Sequence, residues 1–118
     1  MQTAHKQWYF GKSLDGFTPI GPCIVTADAF ADYPPRLGIR SFVNGEKRQD
    51  SNTALQIFDI DHVIAELSQG MTLKAGTIIA TGTPAGVGMG MDPPQFLKPG
   101  DVVRCEIDGI GTLTNPVE

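Results

Sequence analysis

Glycine and proline set the limits on this chain, with 14 of the first and 9 of the second among 118 residues. Glycine loosens the backbone and proline removes a hydrogen-bond donor, so the elements between them must be short. The spacing predicts a mainly β fold with one or two short helices and excludes a helical bundle. An apolar fraction of 41% over this length suits a single domain, residues 1–118, with one modest core.

The clearest strand signal is Leu37-Gly38-Ile39-Arg40-Ser41-Phe42-Val43, which alternates as a half-buried strand should. Asn44-Gly45 follows it and favours a type I′ hairpin turn. The returning strand carries Lys47, Arg48 and Gln49 toward Asn52-Thr53. Further on, Asp59 or Asp61 is placed to cap a helix with Ile60, Val63, Ile64 and Leu67 on one face. That face is expected to pack on the sheet, and Gly70 to stop the helix. Pro99-Gly100-Asp101 introduces a strand at 102–107, and Asp108-Gly109 turns it into a partner at 110–113. The first dozen residues read as either a helical turn or an extended arm.

Residues 81–88, Thr-Gly-Thr-Pro-Ala-Gly-Val-Gly, concentrate three glycines and a proline behind the apolar run Thr77-Ile78-Ile79-Ala80, which is expected to be a buried strand. So little side-chain bulk lets the backbone come close to a ligand or to a second piece of chain. The segment fits a binding loop at a strand end and equally a structural turn of unusual backbone angles. It lacks the G-x-x-x-x-G-K-S/T pattern, and no G-x-G-x-x-G opens a helix, so a nucleotide phosphate site is not supported.

Charge narrows the partners. Nine basic and thirteen acidic residues give a net charge of −4 with no block of either sign. The nearest approach to a basic patch, His5-Lys6-Gln7-Trp8-Tyr9 with Lys12, is short and isolated, which argues against nucleic acid. No apolar stretch reaches membrane-spanning length and the start lacks a signal-peptide core, so a cytoplasmic protein is expected. Cys23 and Cys105 are then expected to stay reduced, and without a local C-x-x-C they make no zinc site.

Few side chains offer chemistry. Lys12, between Gly11 and Ser13, either binds an anion or stabilises an enolate, or is an exposed lysine beside a loop-capping Asp15. Thr83 and nearby N–H groups either grip a carboxylate or 2-oxo group or satisfy their own loop. Asn52 and Thr53 are open to the same two roles. His5 titrates near neutrality but has no nucleophile pattern around it, and His62 is expected to face solvent. No E-x-E, H-x-H or H-E-x-x-H is present, and Asp59-x-Asp61 alone is a weak metal signal.

Taken in order, Gly11-Lys12-Ser13-Leu14-Asp15-Gly16-Phe17, Pro19-Ile20-Gly21-Pro22, Val43-Asn44-Gly45-Glu46 with Arg48-Gln49 and Asn52-Thr53, the loop at 81–88, Phe96-Leu97-Lys98-Pro99-Gly100-Asp101 and Gly109-Ile110-Gly111 with Asn115 form a series. It closely resembles the carboxy-terminal part of the fumarylacetoacetate hydrolase family, above all its 2-hydroxyhepta-2,4-diene-1,7-dioate isomerases, 5-carboxymethyl-2-hydroxymuconate isomerases and acylpyruvases. The resemblance implies part of a mixed β-sandwich roll, a homo-oligomer, a Mg²⁺ or Mn²⁺ centre, and isomerisation, tautomerisation or C–C hydrolysis of 2-oxo acids of the hydroxymuconate or acylpyruvate type.

By the same resemblance, Lys12 matches the active-site lysine and Thr83 the substrate-contacting threonine. Gln2 matches the glutamine after the family's Ala-Arg-Asp element, and Gly82 belongs to the substrate loop. The family's metal ligands, an E-x-E pair and an aspartate, have no counterpart here. The expectation is a truncated carboxy-terminal portion of the catalytic domain that binds no metal by itself. The alternative is a non-catalytic or assembly module that keeps the fold without metal or turnover.

Overall fold

The computed structural model describes residues 8–118. Four strands, β1 (Gly38–Val43), β2 (Glu46–Asn52), β3 (Val102–Ile107) and β4 (Gly111–Pro116), form one antiparallel sheet in the spatial order β2-β1-β3-β4. The two helices are α1 (Trp8–Gly11), a helical turn, and α2 (Ile60–Ser68). Short 3₁₀ turns sit at Ala27–Ala29, Thr53–Leu55 and Gly88–Gly90.

Both hairpins follow from their turn residues. Asn44 and Gly45 take φ of 51° and 85°, the left-handed pair that matches the twist of the flanking strands. The Asn44 side chain also ties the turn to β3, donating to Asp101 at 2.8 Å and accepting from the Val102 N–H at 2.9 Å. In the second hairpin Gly109 supplies a φ of 75°, and β4 extends to Pro116, beyond the expected 110–113.

The sheet has two unlike faces. Ser41 pairs with Cys105 and Val43 with Val103, on a face covered by the chain after Gly86 and by the loop at Gly21 and Pro22. The other face is polar: Arg40 bonds Asp108 at 2.9 Å, Arg104 lies 3.3 Å from Glu106, and the Arg104 guanidinium stacks 4.1 Å from the Phe42 ring centre.

The β1–β2 register slips between Ser41 and Phe42. Ser41 faces Gln49 and Phe42 faces Lys47, which leaves Arg48 as an extra residue in β2. A regular strand sends consecutive side chains to opposite faces, and a bulge of this kind cancels the alternation. Arg48 and Gln49 accordingly line the same cavity.

Helix α2 starts where the sequence places it. Asp59 is the cap, accepting from the His62 N–H at 2.8 Å, an interaction of about 1 kcal/mol. Its apolar face is only half-covered, with Ile64 41% exposed, and the extensively packed pairs are the three strand pairs alone. The expected packing of α2 on the sheet is therefore not extensive among the described residues. The run at 77–80 forms no strand either. A strand exists only against a partner, none of the described residues pairs with it, and Ile78 stays 69% exposed.

The described residues include no fully buried hydrophobic side chain, and the chain exposes 9306 Å². A compact protein of this mass exposes about 6,200 Å². The radius of gyration, 15.6 Å, likewise exceeds the roughly 13.5 Å of a compact domain. The exposed apolar side chains sit mostly on the loops and helical turns, among them Phe17, Ile24, Ile57, Ile78 and Phe96, and few of them on the sheet.

Candidate functional site

The Gly-rich loop is anchored to β2 by one side chain. The Gln49 amide nitrogen donates to the Thr83 hydroxyl and to the Pro84 carbonyl, each at 2.9 Å. A carbonyl only accepts, so the nitrogen end of the amide must face Pro84. The oxygen end then accepts from the Ser41 hydroxyl at 2.8 Å. Both amide hydrogens are used. Thr83 receives one of them, its own hydroxyl proton has no acceptor among the described residues, and its side chain is exposed.

The glycines of the loop divide by what surrounds them. A Cβ on Gly82, at φ +110°, would meet nothing within 4 Å, so the backbone there is open to an approaching molecule. A Cβ on Gly86 would lie 2.1 Å from the Arg48 carbonyl oxygen, and one on Gly88 1.8 Å from the Gln95 carbonyl oxygen. Those two let the loop lie flat against β2 and against the returning chain. The loop is thus open at one end and packed at the other.

Arg48 holds the far arm. Its guanidinium bonds Gln95, reaches Met91 Sδ at 3.1 Å and pairs with Glu46 at 3.2 Å, while its Nε is buried without a partner. Between this arm and the sheet lies a cavity of about 700 Å³ lined by Ser41, Gln49, Gly86, Val103 and Cys105, among others. Partial burial pushes the Cys105 thiol up from its ordinary value. Cys23 and Cys105 are both free thiols.

Lys12 is exposed just after α1, its ammonium 5.1 Å from the Trp8 ring centre. Among the described residues no hydrogen bond or ion pair joins it to Thr83. Gln2 and His5 lie outside the described residues. Asn52 and Thr53 resolve to structural work: Asn52 accepts from the Ala54 N–H at 2.9 Å, and Thr53 donates to the Pro35 carbonyl at 2.7 Å while accepting from the Leu37 N–H at 2.9 Å. Asp61 accepts from the Tyr33 hydroxyl at 2.8 Å, and His62 stacks on Phe58.

Among the described residues no three carboxylate, histidine or cysteine side chains come together as a metal site. These residues do not fit a Mg²⁺ or Mn²⁺ centre. Among them also, no helix is long and apolar enough to cross a membrane. Gln49 and Arg48 stand in the sequence as residues of the returning strand and of the family-like series, with no role marked for either, because a bulge leaves no signature in composition.

The loop thus presents the Thr83 hydroxyl and the open backbone at Gly82 beside an antiparallel sheet. The comparisons give the family of the chain. The model of the fumarylacetoacetate hydrolase carboxy-terminal domain matches residues 1–118, and the chain belongs to that family. It is 50% identical over 117 residues to the mitochondrial oxaloacetate tautomerase fahd2 of Xenopus laevis, covering 99% of this chain and 36% of that protein.

Among solved structures, a fumarylacetoacetate hydrolase from Exiguobacterium antarcticum superposes with a TM-score of 0.92 at 53% identity, over 99% of this chain and 42% of that one. A maleylpyruvate hydrolase from Sphingobium sp. SYK-6, in complex with manganese(II) and pyruvate, gives 0.80 at 44% identity, over 92% of this chain and 38% of that one. The chain therefore spans less than half the length of these relatives.

Proposed function

We propose that this chain supplies the acid-gripping part of a 2-oxo-acid isomerase or hydrolase, acting in a reducing compartment such as the cytoplasm, with keto–enol tautomerisation of a short 2-oxo diacid the first reaction to test. One observation carries the reading. Gln49 donates to Thr83, so the Thr83 hydroxyl turns its own proton away from Gln49, toward an acceptor that none of the described residues provides. A carboxylate or enolate oxygen is such an acceptor, and Gly82 leaves room for it. The oxaloacetate tautomerase and maleylpyruvate hydrolase relatives act on 2-oxo acids by name, which supports this class.

Within that reading Thr83 and the loop N–H groups orient the acid end, and Lys12 adds positive charge where an enolate develops. Its stacking on Trp8 is exposed and worth about 0.5–1 kcal/mol, which does not hold it away from an anion. A divalent ion such as the manganese of the Sphingobium structure is to be held by protein outside the described residues. Gln2 remains a proposed substrate contact on the same footing.

The test is pyruvate affinity, with oxaloacetate tautomerisation in Mn²⁺ as the activity readout. Thr83→Val removes the donor at constant shape and is expected to weaken binding about 10- to 100-fold, the worth of a hydrogen bond to a charged acceptor. Thr83→Ser should restore it. Unchanged affinity in Thr83→Val refutes the reading. A second reading, an assembly module without turnover, draws on the apolar surface left open and on the lack of a carboxylate cluster among the described residues.

A further inference from the structure

We propose that Ser41 and Gln49 are positioning residues that set the direction of the Thr83 hydrogen bond, so that the loop is an obligate donor toward its ligand. The inference rests on the functional reading of Thr83 above and adds what controls it. Neither residue is in contact with the open end of the loop at Gly82. They act from behind.

The proton directions are fixed one after another. Pro84 O can only accept, which places the amide nitrogen of Gln49 on the loop side. The amide oxygen is left facing β1, where Ser41 donates to it. The second amide hydrogen goes to Thr83, which is thereby kept from donating back into the protein. Every orientation is dictated by a carbonyl that cannot reverse. The bulge at Arg48 completes the device. It brings Gln49 and Arg48 to one face, so that two consecutive residues hold the loop at Thr83-Pro84 and its far arm at Gln95.

Gln49→Glu is the discriminating substitution, because it keeps length and volume and reverses the polarity. Above the pKa of the introduced carboxyl, near 4–5 for an ordinary glutamate and higher beside a carbonyl, the group can only accept. The Thr83 proton then turns inward and the Pro84 carbonyl faces a negative charge. Pyruvate affinity at about pH 8 is expected to fall roughly 10- to 100-fold, as for loss of the donor itself. It should recover as the pH drops through the titration of the introduced carboxyl, when that group regains a donor. The unsubstituted chain should show no such recovery.

Two readouts separate the possible failures. The Thr83 methyl resonance in Gln49→Glu should titrate with the introduced carboxyl even without ligand, since the hydroxyl reverses with it. A methyl that does not titrate, or a pH-independent loss of affinity, overturns the positioning role. Gln49→Leu should weaken pyruvate binding at every pH, and wild-type affinity in that variant also overturns it. If instead Thr83→Val binds pyruvate normally while the methyl still titrates in Gln49→Glu, the positioning stands and the ligand assignment of the loop is what fails.

Discussion

Replacing Gly86 by alanine tests whether close contact with β2, rather than backbone freedom alone, makes the loop competent. The comparison is with Gly82→Ala. Both glycines have positive φ, +103° and +110°, so either alanine carries conformational strain of about 1–3 kcal/mol. They differ in space. The Gly82 methyl meets nothing within 4 Å, whereas the Gly86 methyl would sit 2.1 Å from the Arg48 carbonyl oxygen and 3.0 Å from Gln49 Cγ. A carbon–oxygen contact needs roughly 3.3 Å, so the loop must retreat by about 1 Å from a strand that is itself paired to β1. The 2.9 Å bonds from Gln49 to Thr83 and Pro84 then lengthen past useful range. A misplacement of that size costs up to about 100-fold in function. Pyruvate titration of the three proteins is the assay, with denaturant unfolding to read the strain separately. Gly86→Ala should lose both Gln49 bonds and most of its affinity, beyond the loss in Gly82→Ala. Equal losses in the two variants refute the reasoning, because strain without displacement would then explain everything.

Acid should loosen the sheet. Asp101 is held below the ordinary carboxylate value by hydrogen bonds from Asn44 and the Lys98 N–H, and Asp108 by the Arg40 guanidinium. Depressed carboxylate values contribute stability that is present above about pH 4 and lost as pH falls through the folded values. The unfolding midpoint is therefore expected to hold from about pH 7 to about pH 5 and to drop below about pH 4, with Asp101→Asn combined with Asp108→Asn flattening the drop. A midpoint that rises with acid would contradict it. The uncovered apolar surface predicts association: in solution the full chain should sediment above its 12.6 kDa mass and bind a hydrophobic dye. A dye-silent monomer would count against both the assembly reading and the area argument.

The parts of the fold that could be read in advance are those encoded within a few residues. Asn44-Gly45 demands a left-handed turn, Asp59 caps α2, and the alternation through Phe42 marks a strand, because each depends on local backbone chemistry. The run at 77–80, apolar enough for a buried strand, forms none, because apolarity reports what a segment could bury, not whether a pairing strand lies among the described residues. The same limit applies to the face of Ile60, Val63, Ile64 and Leu67, apolar as expected yet half-exposed. The site divides along the same line. Thr83 and Gly82 stood out by composition, whereas Asn52 and Thr53 were open to two roles until their partners, the Ala54 N–H and the Pro35 carbonyl, were seen.

The dependence of the site on the β2 bulge was not legible at all, and the reason is physical. A bulge is a mismatch in count between two strands, so it belongs to neither sequence segment alone. Without it, Gln49 and Arg48 would point to opposite faces, and one of the two holds on the loop would be lost. Glycine at 86 would then have no purpose, since the Arg48 carbonyl would not lie close enough to require the missing Cβ. The three features are interdependent: the extra residue in β2, the small residues facing it, and the hydroxyl turned outward at the loop's open end. Moving the register by one residue should therefore release the loop at Thr83-Pro84 and disable it.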